Sequence, residues 1–438
     1  MRNEQADKKR NGERIGVKKC ILYFLFSGLI ILGLYARFIM IAAAAIIVLY
    51  IFAASVQGAF EITLFLVPFI NIFKISPSSM SLFTFICLSL ILKLLWNGKA
   101  KCLRGMTLLP FLILLIYAVF SIFSSFNSTL NFIFGITFLL LVFGTSCGSE
   151  LDARKIVIYF AYGILVASVW GLLKTYIAPI NEFLRVYYYR LSSQEVAYRF
   201  SGLCENSNYY TIDVSIALAA LLTLFMRKRI EKSLFFFGVP LIAFGLMSQS
   251  KSFFLVAVLL LVSFGTYLVR QRGGSLTKFL LIAAVLAAAA YRPITYFTDT
   301  YLARIFNAAH TSSSMGDLTT GRWEIWSVYM SHIFSNAKTL FVGTGLGKQL
   351  HLGPSHNLFV QLLYNFGLLG SAVYFWYVRS LIGRKQEWKT CIPLILVFIL
   401  RAFTANILFY DNLYFYLFLI LLLINNPKRV QDCEELKD

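Results

Sequence analysis

Charge is what this sequence has least of. Only 14% of its 438 residues are charged, against about 25% in soluble proteins, while 59% are hydrophobic. An ordinary soluble globular chain is therefore excluded. Cysteine pairing is missing too. The seven cysteines are odd in number and scattered, and none forms a C-x-x-C. Neither a zinc site nor a disulfide framework is encoded, and each cysteine reads as a small packing residue. No Walker loop, G-x-G-x-x-G turn, EF-hand or D-x-D pair occurs, and no fixed-period repeat or soluble domain is visible. No cofactor and no metal-ligand set is read from the sequence.

What is present is a succession of apolar runs. Candidate spans fall at 20–36, 38–56, 59–73, 80–96, 105–123, 130–146, 155–176, 209–226, 233–249, 251–269, 277–293, 356–378, 391–409 and 411–426. A bilayer core takes a helix of about 20 apolar residues. The runs are continuous rather than alternating, which argues against a β-barrel. The expected fold is all-α: a polytopic membrane protein of twelve to fourteen transmembrane helices. The basic start and first apolar run imitate a signal peptide but lack a small-x-small cleavage site, so the run reads as an uncleaved first helix.

The net charge of +20 is not spread as nucleic-acid binding would need. It sits between the runs, in "KKRNGERIGVKK" (8–19), "NGKAKCLR" (97–104), "LDARK" (151–155), "RKRIEK" (227–232), "RQRGGSLTK" (270–278), "RSLIGRKQEWK" (379–389) and "NPKRV" (426–430). With the N-terminus inside and a crossing at every span, each cluster lands in the cytoplasm, as the positive-inside rule asks. The expected organisation is a cytoplasmic N-terminus (1–19), a membrane domain (20–426) and a cytoplasmic tail (427–438). Two long polar stretches, 177–208 and 292–355, then lie outside, and 356–426 holds the last three helices.

Those outer stretches carry the chemistry. They hold Arg185, Arg190, Arg199, Arg292, Arg304 and Arg322. A guanidinium fork donates two parallel hydrogen bonds and suits phosphate. Arg199 and Arg322 stand out because each is beside a glycine-bearing turn. Residues 322–335 read as a short amphipathic helix, with Trp323, Trp326, Met330 and Ile333 on one face, able to lie on a membrane surface. "GPSHN" (353–357) reads as a helix start with Ser355 as N-cap and His356 and Asn357 in the first turn. The positive helix end would keep His356 neutral and able to accept a proton. Gly343, Gly345 and Gly347 would let backbone approach a ligand closely. Ser248, Ser250 and Lys251 sit at an outer turn, as does Asp411. Asp213 and Arg401 lie within spans, where an ionisable group signals either function or an internal ion pair.

Five segments, "RFSGLCENSNYY" (199–210), "SQSKSFF" (248–254), "GRWEIW" (321–326), "GTGLG" (343–347) and "SHNLFVQLLYNFGLLG" (355–370), together resemble the O-antigen ligase and polysaccharide polymerase family of bacterial membrane glycosyltransferases. The resemblance covers 199–378 by motif and the rest by hydropathy. It implies an undecaprenyl-diphosphate-linked glycan as donor, a glycan acceptor, the lipid bilayer as setting, and a flippase and chain-length regulator as pathway partners. By motif, the family's catalytic residues map to Arg322, His356 and Arg199. Substrate-binding roles then fall to Lys251, Asn206, Asn208, Asn357, Trp323, Gly343 and Gly345. Tyr187, Tyr188, Tyr189, Trp323 and Trp326 are candidates for stacking on sugars or for interfacial anchoring. Two departures stand out: the family's serine–arginine turn is Ser250–Lys251 here, and an acidic residue before "GLLG" is Asn365. The expected reaction is a metal-independent, inverting transfer at the outer face of the plasma membrane. A repeat-unit polymerase is favoured over a ligase, and either over a flippase.

Overall fold

The computed structural model describes residues 16–76, 79–97, 105–123, 125–145, 147–184, 188–190, 196–230, 235–272, 322–383, 388–404 and 413–426. The candidate span at 277–293, residues 292–321 of the second outer stretch and both terminal segments lie outside them.

The fold is a helical bundle. In chain order come α1 (Val17–Gly33), α2 (Arg37–Ala53), α3 (Val56–Leu66), α4 (Phe83–Trp96), α5 (Gly105–Ser121), α6 (Phe126–Phe143) and α7 (Ala153–Leu172). They are followed by α8 (Ser207–Met226), α9 (Gly238–Met247), α10 (Lys251–Arg272), α11 (Arg322–Phe334) and α12 (Ala337–Val342). The last are α13 (Leu358–Ser380), α14 (Trp388–Thr404) and α15 (Leu413–Asn425). A two-stranded antiparallel hairpin, Tyr188–Arg190 with Val196–Tyr198, interrupts the helices before α8. Among the described residues, five helices are long and apolar enough to cross a membrane: α6, α7, α8, α10 and α13. Six further apolar helices are shorter.

Polar caps mark where apolar runs become helices. Asp152 accepts from the Arg154 and Lys155 amides to start α7, and Asn206 accepts from the Asn208 amide to start α8. Helix α8 is apolar all round, and such a helix belongs in a core. It is packed by α7, α9, α10, α14 and α15. Its few polar groups are buried and turned to neighbours: the Tyr210 hydroxyl meets Ser168 at 2.6 Å, and Asp213 accepts from Tyr416 at 2.6 Å. By contrast α10 is largely uncovered, and Leu255, Val258, Leu261 and Val262 face outward. Outward apolar residues on α1, α2 and α5, such as Phe24, Phe38 and Phe120, continue that surface. A surface of this kind suits hydrocarbon better than water.

Helix α13 is broken at Gly367, whose backbone is non-helical at φ 63° and ψ −171°. The break frees carbonyls, and the 343–345 loop takes them. The Thr344 and Gly345 amides donate to Tyr364 and Asn365 at 2.9 and 3.0 Å. Gly343 lies so close that a Cβ would meet the Asn365 carbonyl oxygen at 2.4 Å. Above the break, α11 folds onto α13 through a small separate core of Tyr329, Ile333 and Tyr364. So α11 packs its Tyr329 and Ile333 face on protein, and Trp323 remains half exposed.

Candidate functional site

The first turns of α8 and α10 meet at one end of the bundle. The turn 248–250 that leads into α10 takes positive φ at Gln249 (55°), a tight reversal built from "SQS". Its Ser250 hydroxyl donates to the Asn208 side-chain oxygen at 3.0 Å and pairs with the Ser252 hydroxyl at 3.0 Å. Arg199 comes from the strand side of α8 and donates to the Ser248 carbonyl at 3.2 Å and the Gln249 carbonyl at 3.5 Å. Lys251, half buried, is the first residue of α10. Asn206, Asn208, Lys251 and Arg199 are therefore assembled around one turn, with Asn206 acting as helix cap.

Helix α14 ends at the same place. Arg401 is fully buried and donates to the Asn208 carbonyl, to the Thr211 hydroxyl at 2.7 Å and to the Ser252 hydroxyl. One turn later Arg322, from the start of α11, donates to the Thr404 carbonyl at 2.9 Å. A cation at a helix C-terminus is favourably placed. Burial pulls Arg322 below its usual value, opposed by the nearby Tyr209 phenol, and a guanidinium stays protonated all the same. An internal Asp213–Arg401 ion pair is not formed. The Asp213 carboxylate accepts from Tyr416 and, at 3.8 Å, from the Cys204 thiol, while Arg401 spends its donors on the two helix starts.

His356 lies beside Arg322. Burial first, then the Arg322 charge, holds its imidazole below its usual value. Neutrality thus has a different cause from the expected one. Asn357, and not Ser355, is the N-cap of α13, accepting from the Phe359 and Val360 amides at 2.9 and 3.2 Å. His356 stands outside the helix with φ 53°, a left-handed conformation unusual for a side chain with a Cβ. The turn is held from above: the Trp326 indole donates to the Ser355 carbonyl at 2.8 Å, and the Tyr329 hydroxyl to the Gly353 carbonyl at 2.7 Å. Phe359 packs on Phe403, with ring centroids 4.8 Å apart, beside the Arg322 anchor. A continuous set of hydrogen bonds therefore runs from Arg199 through the 248–252 turn, Arg401 and Thr404 to Arg322, whose charge reaches His356.

The glycines do something else. The close approach allowed by Gly343 is to the break in α13, and that allowed by Gly347 is to Ser125, where a Cβ would sit 2.3 Å from the serine Cβ. Asn365, fully buried, locks this loop. Its amide donates to the Gly345 carbonyl at 2.6 Å and the Lys348 carbonyl at 3.1 Å, and its oxygen accepts from Gln361 at 2.7 Å. A carboxylate could not make the two donations. Of the candidate stacking residues, Trp326 is engaged with Ser355. Tyr187 and the side chains of Tyr188 and Tyr189 lie outside the described residues, as do Arg185, Arg292, Arg304 and Asp411.

Arg401 stands out in the sequence as an ionisable group within a span, but its place in this assembly is not legible there. Thr404 acts through its carbonyl, which no side-chain pattern announces. Comparison with the models of known protein families finds no match, and comparison with curated proteins finds none either.

Proposed function

We propose that this chain is a membrane glycosyltransferase that moves glycan from an undecaprenyl-diphosphate-linked donor to a sugar hydroxyl. The observation that carries the reading is a His356 that feels the charge of the half-buried Arg322, on the same end of the bundle as Arg199 and Lys251. Cations in a poorly solvated setting stabilise the charge that builds on a leaving diphosphate. A neutral imidazole accepts the proton of the attacking hydroxyl as the new glycosidic bond forms and the bond to phosphate opens. Attack from the face opposite the diphosphate inverts the anomeric carbon. An apolar cavity of about 200 Å³ between α8, α9 and α10, lined by Leu218, Phe235, Ile242, Leu260 and Phe264, suits a hydrocarbon tail below that end.

In this reading the chain crosses the plasma membrane twelve to fourteen times, with both termini cytoplasmic and the His356 end outside. The acceptor is a second lipid-linked repeat unit, which makes the enzyme a polymerase. A deletion strain that makes only single repeats supports polymerisation. Long glycan trapped on its lipid carrier points instead to a ligase, and a lipid-linked single repeat left on the cytoplasmic face points to a flippase. Arg322→Lys and His356→Ala abolish elongation while the protein still reaches the membrane. A wild-type glycan ladder from either variant refutes the assignment.

A further inference from the structure

Arg401 is a buried cation with no carboxylate within ion-pair distance among the described residues. A buried charge left without a counter-ion is costly, so its retention calls for a reason. Its hydrogen bonds supply half of one. They tie the first turn of α8, at the Asn208 carbonyl and the Thr211 hydroxyl, to the first turn of α10, at the Ser252 hydroxyl. That tie fixes how far the Asn208 side chain stands from Ser250 and Lys251.

The other half is electrostatic. Arg401 and Arg322 feel each other's charge, and both sit where the N-termini of two long helices converge. Helix N-termini add partial positive charge. Two buried donors there have no partner among the described residues: the Arg401 Nε–H and the Ser207 hydroxyl. Ser207 lies one helical turn from Thr211, which the guanidinium touches, on the same face of α8. Among the described residues, Asp213 is the carboxylate whose charge reaches Arg401, and it accepts from Tyr416 and Cys204.

We propose that Arg401 is a positioning residue of the site and sets its preference for the more highly charged phosphate group, a diphosphate over a monophosphate. The inference rests on the diphosphate reading given above. Coulomb attraction scales with the charge of the ligand, so removing one cation weakens a diphosphate more than a monophosphate. Removing the tie while keeping the charge instead weakens both alike.

The test uses the full chain in phosphatidylcholine nanodiscs, with farnesyl diphosphate and farnesyl monophosphate as probes. Wild type binds the diphosphate more tightly. Arg401→Met lowers that preference by about tenfold, the equivalent of about 1.4 kcal/mol. Arg401→Lys keeps the preference and weakens both probes, because an ammonium cannot reproduce the fork. A purely structural arginine would weaken both probes equally in Arg401→Met, and that result overturns the proposal. If Arg401→Met does not fold, Arg401→Lys decides: unchanged affinities, or a lost preference, overturn it. Failure of wild type to bind either probe sinks the diphosphate reading itself and this inference with it. Wild-type binding with an unaltered preference in Arg401→Met sinks the inference alone.

Discussion

Consider replacing Asn365 by aspartate, which changes one nitrogen to oxygen and nothing else in shape. The amide donates to two carbonyls, Gly345 at 2.6 Å and Lys348 at 3.1 Å, in a fully buried place. Aspartate loses both donations and leaves carbonyls facing an acceptor. A buried acceptor left unmatched costs about 1–3 kcal/mol; the Gly345 carbonyl is left so, while the Lys348 carbonyl keeps the Gln361 amide at 3.2 Å, so the loss is about 2 kcal/mol before any charge is buried. Ionising the new carboxylate there adds to the loss, so Asn365→Asp is less stable than Asn365→Ala at pH 7.5. Only the Gln361 amide donates to this oxygen position, and burial outweighs it, so the carboxylate's pKa rises on folding. Its penalty shrinks as pH falls, because the protonated acid regains one donor. Thermal unfolding of the purified protein, followed by tryptophan fluorescence at pH 7.5 and 5.0, reads this directly. The expected fall at pH 7.5 is roughly 2–5 °C. An Asn365→Asp protein as stable as wild type, with faster glycan elongation, would refute the reasoning. It would mean the position wants a carboxylate to assist His356.

Three further outcomes follow from the same geometry. Asn357→Ala removes the cap of α13 and lowers stability by about 1 kcal/mol, measured by the same melts, whereas Asn357→Asp retains it. Gly343→Ala meets both a positive φ and the Asn365 carbonyl, while Gly353→Ala meets open space at a similar φ, so Gly343→Ala lowers the unfolding midpoint more. Because His356 has a lowered folded-state pKa, the stability linked to its neutral form is complete above the unfolded value of about 6.5 and is lost as pH falls through the folded value. His356→Gln therefore narrows the drop in unfolding midpoint between pH 7 and 5, and an unchanged drop would contradict a half-buried imidazole that feels the Arg322 charge.

Hydropathy made most of the helices legible, because a long apolar run leaves the backbone few other ways to satisfy its polar groups. The runs at 155–176 and 209–226 became α7 and α8 with ends shifted by a few residues, set by the caps Asp152 and Asn206. The run at 233–249 yielded the shorter α9, Gly238–Met247. The candidate residues Arg199, Asn208, Lys251, Arg322 and His356 were each visible as polar groups where polarity is expensive. What the sequence could not show was partnership. Ser355 and Asn357 are both good caps, and the choice falls to Asn357 because Ser355 bonds back to the Asn357 backbone. "GTGLG" reads alike whether a ligand or another piece of chain approaches it. The partner that decides, Asn365, lies some twenty residues further on.

The interrupted α13 has a consequence for how such chains can be recombined. Its freed carbonyls are completed by amides of the preceding loop, so neither segment carries a full set of backbone bonds by itself. Chimeras with a junction between 343 and 367 would separate donors from their acceptors. Residues 337 to 367 should therefore be transplanted, or lengthened, as one indivisible cassette.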